Sequence, residues 1–149
     1  MNISQIMSTD VEFLSPSATL AEAAEKMEKL DCGFFPIADD AGERLQGVIT
    51  DRDIVIRGIA RGLDPKKTSV DEVRSNKVLY CFENDGIETA AESMYQQKVS
   101  RLIVLSDRDT KRLKGVISLG DITRRSGFNG EELAGYATKG MKANGVAPL

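Results

Sequence analysis

The chain says the same thing twice. Gly47-Val48-Ile49-Thr50-Asp51-Arg52-Asp53-Ile54 returns 68 residues later as Gly115-Val116-Ile117-Ser118-Leu119-Gly120-Asp121-Ile122. A long internal repeat constrains the fold strongly, because one supersecondary unit must be built twice and the copies must share the work of burial. The repetition extends well beyond this stretch. At an offset of 67, Ile3, Ile6, Val11 and Phe13 correspond to Val70, Val73, Val78 and Tyr80. Leu20, Ala23, Ala24 and Met27 correspond to Ile87, Ala90, Ala91 and Met94, and Pro36-Ile37 to Ile103-Val104. The offset grows to 68 where the polar turn Asp107–Arg112 exceeds Asp40–Arg44 by one residue. Turns are where insertions are tolerated, so the mismatch supports the alignment.

Each copy has one plan. A short turn or helix (Ile3–Met7; Val70–Arg74) leads into a short strand (Val11–Leu14; Val78–Cys81). A helix follows over Thr19–Leu30 and Gly86–Gln97, its apolar residues spaced i, i+3, i+4, i+7. Next comes a hairpin, Phe34–Ala38 with Leu45–Thr50 and Leu102–Leu105 with Leu113–Ser118, closed by a polar turn. A second helix opens at the signature, over Asp51–Arg61 and Leu119–Arg125. The order is β-α-β-β-α twice, an α+β class. Along the chain this gives repeat one at 1–62, a linker at 63–69, repeat two at 70–125 and a weakly structured tail at 126–149 with a helical piece at Glu131–Ala137.

The helix after the first signature is unusual. Ile54, Val55, Ile56 and Ile59 cannot share one face at about 100° per residue. β-branched residues are also poor intrinsic helix formers. Burial on more than one side is expected, by the rest of the chain and by a second subunit, so a homodimer is expected with Ile54 and Ile59 among its contacts.

Composition excludes more than it identifies. The 149 residues are 41% hydrophobic and 29% charged, as in a globular chain. A net charge of −3 argues against a general nucleic-acid binder, and the pairs Lys66-Lys67 and Arg124-Arg125 read as solvated surface. Neither a signal peptide nor an apolar run of membrane-spanning length is visible, so a cytoplasmic, membrane-free protein is expected. Cys32 and Cys81 suggest reduced thiols rather than a disulfide framework. Histidine is absent, which removes imidazole catalysis and every Cys/His zinc set. With no G-x-x-x-x-G-K loop either, an enzyme is not expected, and neither catalytic residues nor a metal site are assigned.

Two readings compete for the signature. A hydroxyl followed three positions on by a carboxylate is a capping box, in which both side chains satisfy helix-end donors. The same corner gathers a hydroxyl, a carboxylate and free N–H groups where a sugar and a phosphate could sit. Two copies at matched positions weigh towards a ligand. The readings are also compatible, since a Thr can cap while its Asp looks outward.

Taken together, Ile6-Met7, Ala23-Ala24-x-x-Met27, Phe35-Pro36-Ile37 and the octad at 47–54, with a looser second copy, closely resemble a cystathionine-β-synthase (CBS) domain pair, or Bateman module. The resemblance runs from Met1 to about Arg125. It implies two β-α-β-β-α repeats packed with pseudo-twofold symmetry, their sheets facing, with adenosyl ligands (AMP, ADP, ATP, S-adenosylmethionine) in two clefts. Carried over, it puts ribose on Thr50 with Asp53 and on Ser118 with Asp121. Adenine falls near Phe13 and Pro36 and near Tyr80 and Ile103, and phosphates near Arg52 and Arg124. Lys98–Val104 is similar to a segment of the AMP-activated protein kinase γ subunit in which a His-Arg pair faces phosphates. Arg101 holds the Arg position and Ser100 replaces the His. An exposed strand-edge residue is the competing reading of Arg101. Repeat two departs further, with Ile103 in place of Pro36 and Leu119-Gly120 in place of Asp51-Arg52, so the clefts should be unequal.

The expected function is a regulatory module that senses an adenine nucleotide, needs no cofactor and signals to a separate, unidentified protein. A ligand-free dimerisation scaffold is the alternative from another class. A redox role for Cys32 or Cys81 ranks below both, because neither has a cationic sequence neighbour to lower its pKa.

Overall fold

The computed structural model describes residues 1–39, 41–125, 127 and the backbone of 146–148. The helical piece expected at Glu131–Ala137 and most of the tail lie outside the described residues. Among the described residues two compact units emerge: 12–78, and 1–11 with 79–125.

In the first unit, α1 (Leu20–Leu30) starts at a Thr19 cap whose Oγ1 accepts the Glu22 N–H while Glu22 Oε2 accepts the Thr19 N–H. The reciprocal pair satisfies two helix-end donors. The helix ends at Asp31, in the left-handed region at φ 51°. Strands β1 (Phe34–Ala38) and β2 (Leu45–Thr50) then pair antiparallel from Phe34 opposite Thr50 to Ala38 opposite Leu45. The strand expected at Val11–Leu14 reduces to a single parallel bridge, Leu14 to Ile37. The core gathers Leu14, Leu20, Ala23, Met27, Phe35, Ile37, Ile49 and Ile54, together with Val70 and Val73 of α3 (Val70–Val73).

In the second unit, β3 (Lys77–Phe82) runs parallel to β4 (Arg101–Leu105), which pairs antiparallel with β5 (Leu113–Ser118). Helix α4 (Ile87–Gln97) packs on this sheet, α5 (Leu119–Arg125) follows β5, and β6 (Val146–Pro148) borders β3, giving the strand order β5-β4-β3-β6. Ile3, which opens a short 3-10 turn at Ile3–Gln5, and Ile6, which follows it, join Cys81, Ile87, Met94, Leu102, Ile117 and Ile122 in its core.

The turn that opens each repeat in the sequence is therefore buried with the other copy. Spatial units cut the chain differently from the linear repeat. The physical reason is that spacing shows only that Ile3 and Ile6, or Val70 and Val73, need burial. It does not name the core, and two similar cores offer similar places.

The helix expected over 51–61 is wound three ways. A single α-turn, α2 (Asp51–Asp53), passes into a π-turn at Ile54–Gly58, where the Ile59 N–H reaches the Ile54 carbonyl, and then into a 3-10 turn at Ile59–Arg61. Gly58 presses on Leu20, whose Cδ1 would stand 2.7 Å from an added Cβ. Lacking a side chain, Gly58 lets this stretch approach α1 closely. Ile54 is turned into its own core at 7% exposure, while Val55, Ile56 and Ile59 are 54%, 46% and 51% exposed. That corrects the expectation that Ile54 faces a second subunit.

Candidate functional site

Both copies of the signature close the same small ring. At the end of β2, the Thr50 N–H donates to Asp53 Oδ2 at 3.0 Å and the Asp53 N–H donates to Thr50 Oγ1 at 3.1 Å. At the end of β5, the Ser118 N–H donates to Asp121 Oδ2 at 2.9 Å and the Asp121 N–H donates to Ser118 Oγ at 3.0 Å. These are capping boxes, so that reading of the pattern holds. Each ring occupies one carboxylate oxygen and leaves Oδ1 for another group. Oδ1 of Asp53 lies 4.0 Å from Arg57 Nη1, and Oδ1 of Asp121 lies 3.3 Å from Arg124 Nη2. The Asp53 side chain is 18% exposed and that of Asp121 only 9%. Among the described residues Oδ1 of Asp53 accepts no hydrogen bond, while that of Asp121 accepts one from Arg124 Nη2. An ionised carboxylate is acceptor-only, and each oxygen has more than one lone pair, so both suit donors such as hydroxyls.

Strand register places Arg101 beside the second cap. Arg101 stands directly opposite Ser118 in the β4–β5 pair, as Phe34 stands opposite Thr50 in β1–β2. Directly opposed residues project to the same face of a sheet. Arg101 is exposed, and its guanidinium has no hydrogen-bond or ion-pair partner among the described residues. Arg124 folds back over the first turn of α5, and its Nη1 would stand 2.8 Å from a Cβ added to Gly120. The glycine in place of Arg52 therefore makes room for an arginine head. Arg52 itself is exposed on α2.

Tyr80 sits across from Ile103 in the parallel β3–β4 pair, with its ring edge-on to Phe82 at 5.6 Å between centroids. Phe13 precedes Leu14, whose N–H donates to the Pro36 carbonyl at 2.9 Å, so these two also lie close. Gly42, at φ +67°, lies beneath the Phe13 ring, where a Cβ would stand 2.7 Å from it. Tyr80 and Ile103 are buried at 6% and 1%, and Pro36 is buried as well. What they can offer a ligand is mainly backbone and wall.

Sequence reasoning passed over two arginines. Arg57 Nη1 donates to the Val73 and Arg74 carbonyls at 2.8 and 3.0 Å, and Arg125 Nη1 donates to the Ile6 carbonyl at 3.0 Å. They occupy matched positions 68 residues apart, and each ties down the exchanged turn of its unit. The repeat alignment could have paired them. Nothing in it shows that their partners are carbonyls.

Cys81 is buried, and desolvation, helped by the charge of Asp85, pushes its thiol well above the ordinary range. Cys32 is half-buried, with Sγ 3.8 Å from the Phe34 carbonyl. Among the described residues no three His, Cys, Asp or Glu side chains gather as a metal set. No helix among them is long and apolar enough to cross a membrane.

Comparison with known proteins places the chain in a family. Hypoxic response protein 1 of Mycobacterium tuberculosis is 37% identical over 119 residues, which cover 80% of this chain and 80% of that protein. A crystal structure of Hypoxic Response Protein I with two coordinated zinc ions superposes with a TM-score of 0.73 at 35% identity over 83% of this chain and 98% of that one. The CBS domain pair of protein MJ0100, in complex with 5′-methylthioadenosine and S-adenosylmethionine, gives a TM-score of 0.67 at 25% identity over 85% of this chain and 96% of that one. A Pyrobaculum aerophilum CBS domain protein complexed with AMP shares the fold, with a TM-score of 0.71 at 22% identity over 93% of this chain and 99% of that one. The CBS domain family model matches residues 3–58 and 70–127. This chain belongs to the CBS domain family, as a tandem pair of its repeats.

Proposed function

We propose that the chain is a regulatory module, working by binding rather than catalysis, that takes up an adenosine-containing ligand and passes its occupancy to a partner protein. The observation that carries this reading is the twinned cap, in which each Asp spends one oxygen on backbone and turns the other to a side chain, Asp121 to Arg124 by a hydrogen bond and Asp53 to Arg57 at 4.0 Å. In this proposal Asp53 with Thr50, and Asp121 with Ser118, hold the ribose diol. Arg101, Arg124 and Arg52 meet phosphates. Phe13, Pro36, Tyr80 and Ile103 frame adenine. The related pairs that hold S-adenosylmethionine or AMP support the ligand class. AMP, ADP, ATP and S-adenosylmethionine are the candidates, with no further cofactor required.

Zinc is not carried over from the mycobacterial relative. This chain has no histidine, and one of its two cysteines is buried in a core. Two free thiols fit a reducing, cytoplasmic setting. Exposed Val55, Ile56 and Ile59 support a homodimer, and they also favour the scaffold reading as the alternative.

Thermal melts with each candidate ligand test the proposal. At about 100 times its dissociation constant a ligand stabilises by roughly 2.7 kcal/mol, a shift of roughly 5–10 °C for a domain of this size. Asp53→Ala and Asp121→Ala should each weaken binding while the ligand-free protein stays folded. If no ligand shifts the wild type and both variants melt far below it, the pairs are caps alone and the scaffold reading stands.

A further inference from the structure

The two caps differ in what holds the free carboxylate oxygen. In repeat two the work is divided: Arg124 pairs with Asp121 Oδ1 at 3.3 Å, while the neighbouring Arg125 grips the Ile6 carbonyl at 3.0 Å. In repeat one the position matching Arg124 is Ile56, which bears no charge. Arg57 alone does both jobs. Its Nη1 bonds the Val73 and Arg74 carbonyls and stands 4.0 Å from Asp53 Oδ1. One guanidinium nitrogen thus gives its hydrogen bonds to the end of α3 while standing within Coulombic reach of the signature carboxylate.

The gripped segment has a particular place in the chain. From Arg74 it runs through Ser75 and Asn76 directly into β3. Ser75 bridges Val48 of β2, its N–H donating to the Val48 carbonyl at 3.0 Å, and the Val48 N–H returns a bond to Ser75 at 3.3 Å. Arg74 lies against Gly47, with its Cδ 2.8 Å from where a Cβ would stand, and its Nε donates to Asp71 Oδ1 at 2.7 Å. The covalent connector between the repeats is therefore clasped by the strand that ends at Thr50 and by the arginine that answers Asp53.

From this arrangement we infer that Arg57 is a positioning residue that couples occupancy of the Thr50–Asp53 cap to the connector at 73–76, and that the Ser118–Asp121 cap has no such link to its own exchanged turn. The inference rests on the ribose reading of Asp53 proposed above. A ribose hydroxyl donating to Oδ1 draws off the carboxylate charge that pulls Arg57 toward the cap, and so strengthens the hold of Nη1 on the two carbonyls it already bonds. Occupancy then tightens the connector. In repeat two a ligand on Asp121 contends with Arg124 and leaves Arg125 on Ile6.

Hydrogen exchange on the full chain, with AMP as probe, tests this. The Arg74 and Ser75 amides, bonded to the Val70 and Val48 carbonyls, report on the connector. AMP should slow their exchange about two- to fivefold, the scale of one partly exposed ion pair. Arg57→Gln should abolish that slowing while AMP still binds. Arg57→Lys, which keeps the charge without the fork, should do the same if the Gln variant folds poorly. Slowing that persists in a variant that binds AMP overturns the inference. A cycle of Asp53→Asn and Arg57→Gln without ligand tests the link directly, and additive effects on these amides overturn it too. Failure of AMP to bind the wild type, or undiminished binding to Asp53→Ala, instead sinks the ribose reading and with it the sensing role. In that case the ligand-free cycle alone decides whether the relay exists.

Discussion

Cys81 and Cys32 differ by environment, and that difference decides whether thiol chemistry is open to this protein. A thiolate is the reactive form, and burial disfavours it. Cys81 lies in the core of its unit, with Sγ 3.7 Å from the Ile103 carbonyl and Asp85 adding like charge, so its thiol titrates far above the ordinary value of 9.0. A group whose pKa is raised by folding contributes stability in full below its unfolded pKa and loses it as pH rises beyond. The melting temperature should accordingly fall as pH climbs past about 9, because only the unfolded chain ionises there. Iodoacetamide on the native protein should alkylate Cys32 and leave Cys81 intact until denaturant is added, as read by mass spectrometry. Equal labelling of both under native conditions would restore the redox reading.

The exchanged turns are the elements whose stability effects run against the order of the sequence. Ile3 and Val70 are both fully buried, each with the copy to which it does not belong in the linear repeat. Truncating a large buried aliphatic costs about 2–5 kcal/mol through lost transfer energy and the cavity left behind. Ile3→Ala should therefore speed exchange in α4 and β4, and Val70→Ala in α1 and β1. The reverse pattern would mean that each turn serves its own repeat. Elements with local causes were legible beforehand. The strands at Phe34–Ala38, Leu45–Thr50 and Leu113–Ser118 end where the pattern placed them, because alternation and turn residues act within a few positions. The pairing of Thr50 with Asp53 was legible for the same reason, since a cap spans three residues. The grip of Arg57 on Val73 and Arg74 was not, because a backbone carbonyl leaves no mark in the sequence and only tertiary packing brings it near. Nor does a β-branched run announce a π-turn or the close approach of Gly58 to Leu20.

At the scale of the whole molecule, the strip of Val55, Ile56 and Ile59 sets the expected assembly. Each is roughly half exposed, at 54%, 46% and 51%, with Leu63 adding 38% further along. Finishing the burial of a half-exposed Val or Ile is worth about 1 kcal/mol, so the three from each of two protomers supply about 6 kcal/mol. Association costs an estimated 4–15 kcal/mol in lost freedom, while a micromolar dimer needs about 8 kcal/mol net. The strip can therefore anchor a dimer only as part of a wider contact, and Ile54, already in its own core, adds nothing to it. A concentration-dependent dimer with a dissociation constant in the micromolar range is expected in sedimentation velocity. Ile59→Glu should return a monomer at every concentration with little change in the monomer's own unfolding, because that side chain faces away from its core. A monomer at concentrations well above the micromolar range, or a dimer untouched by Ile59→Glu, would show that this strip is not where two copies meet.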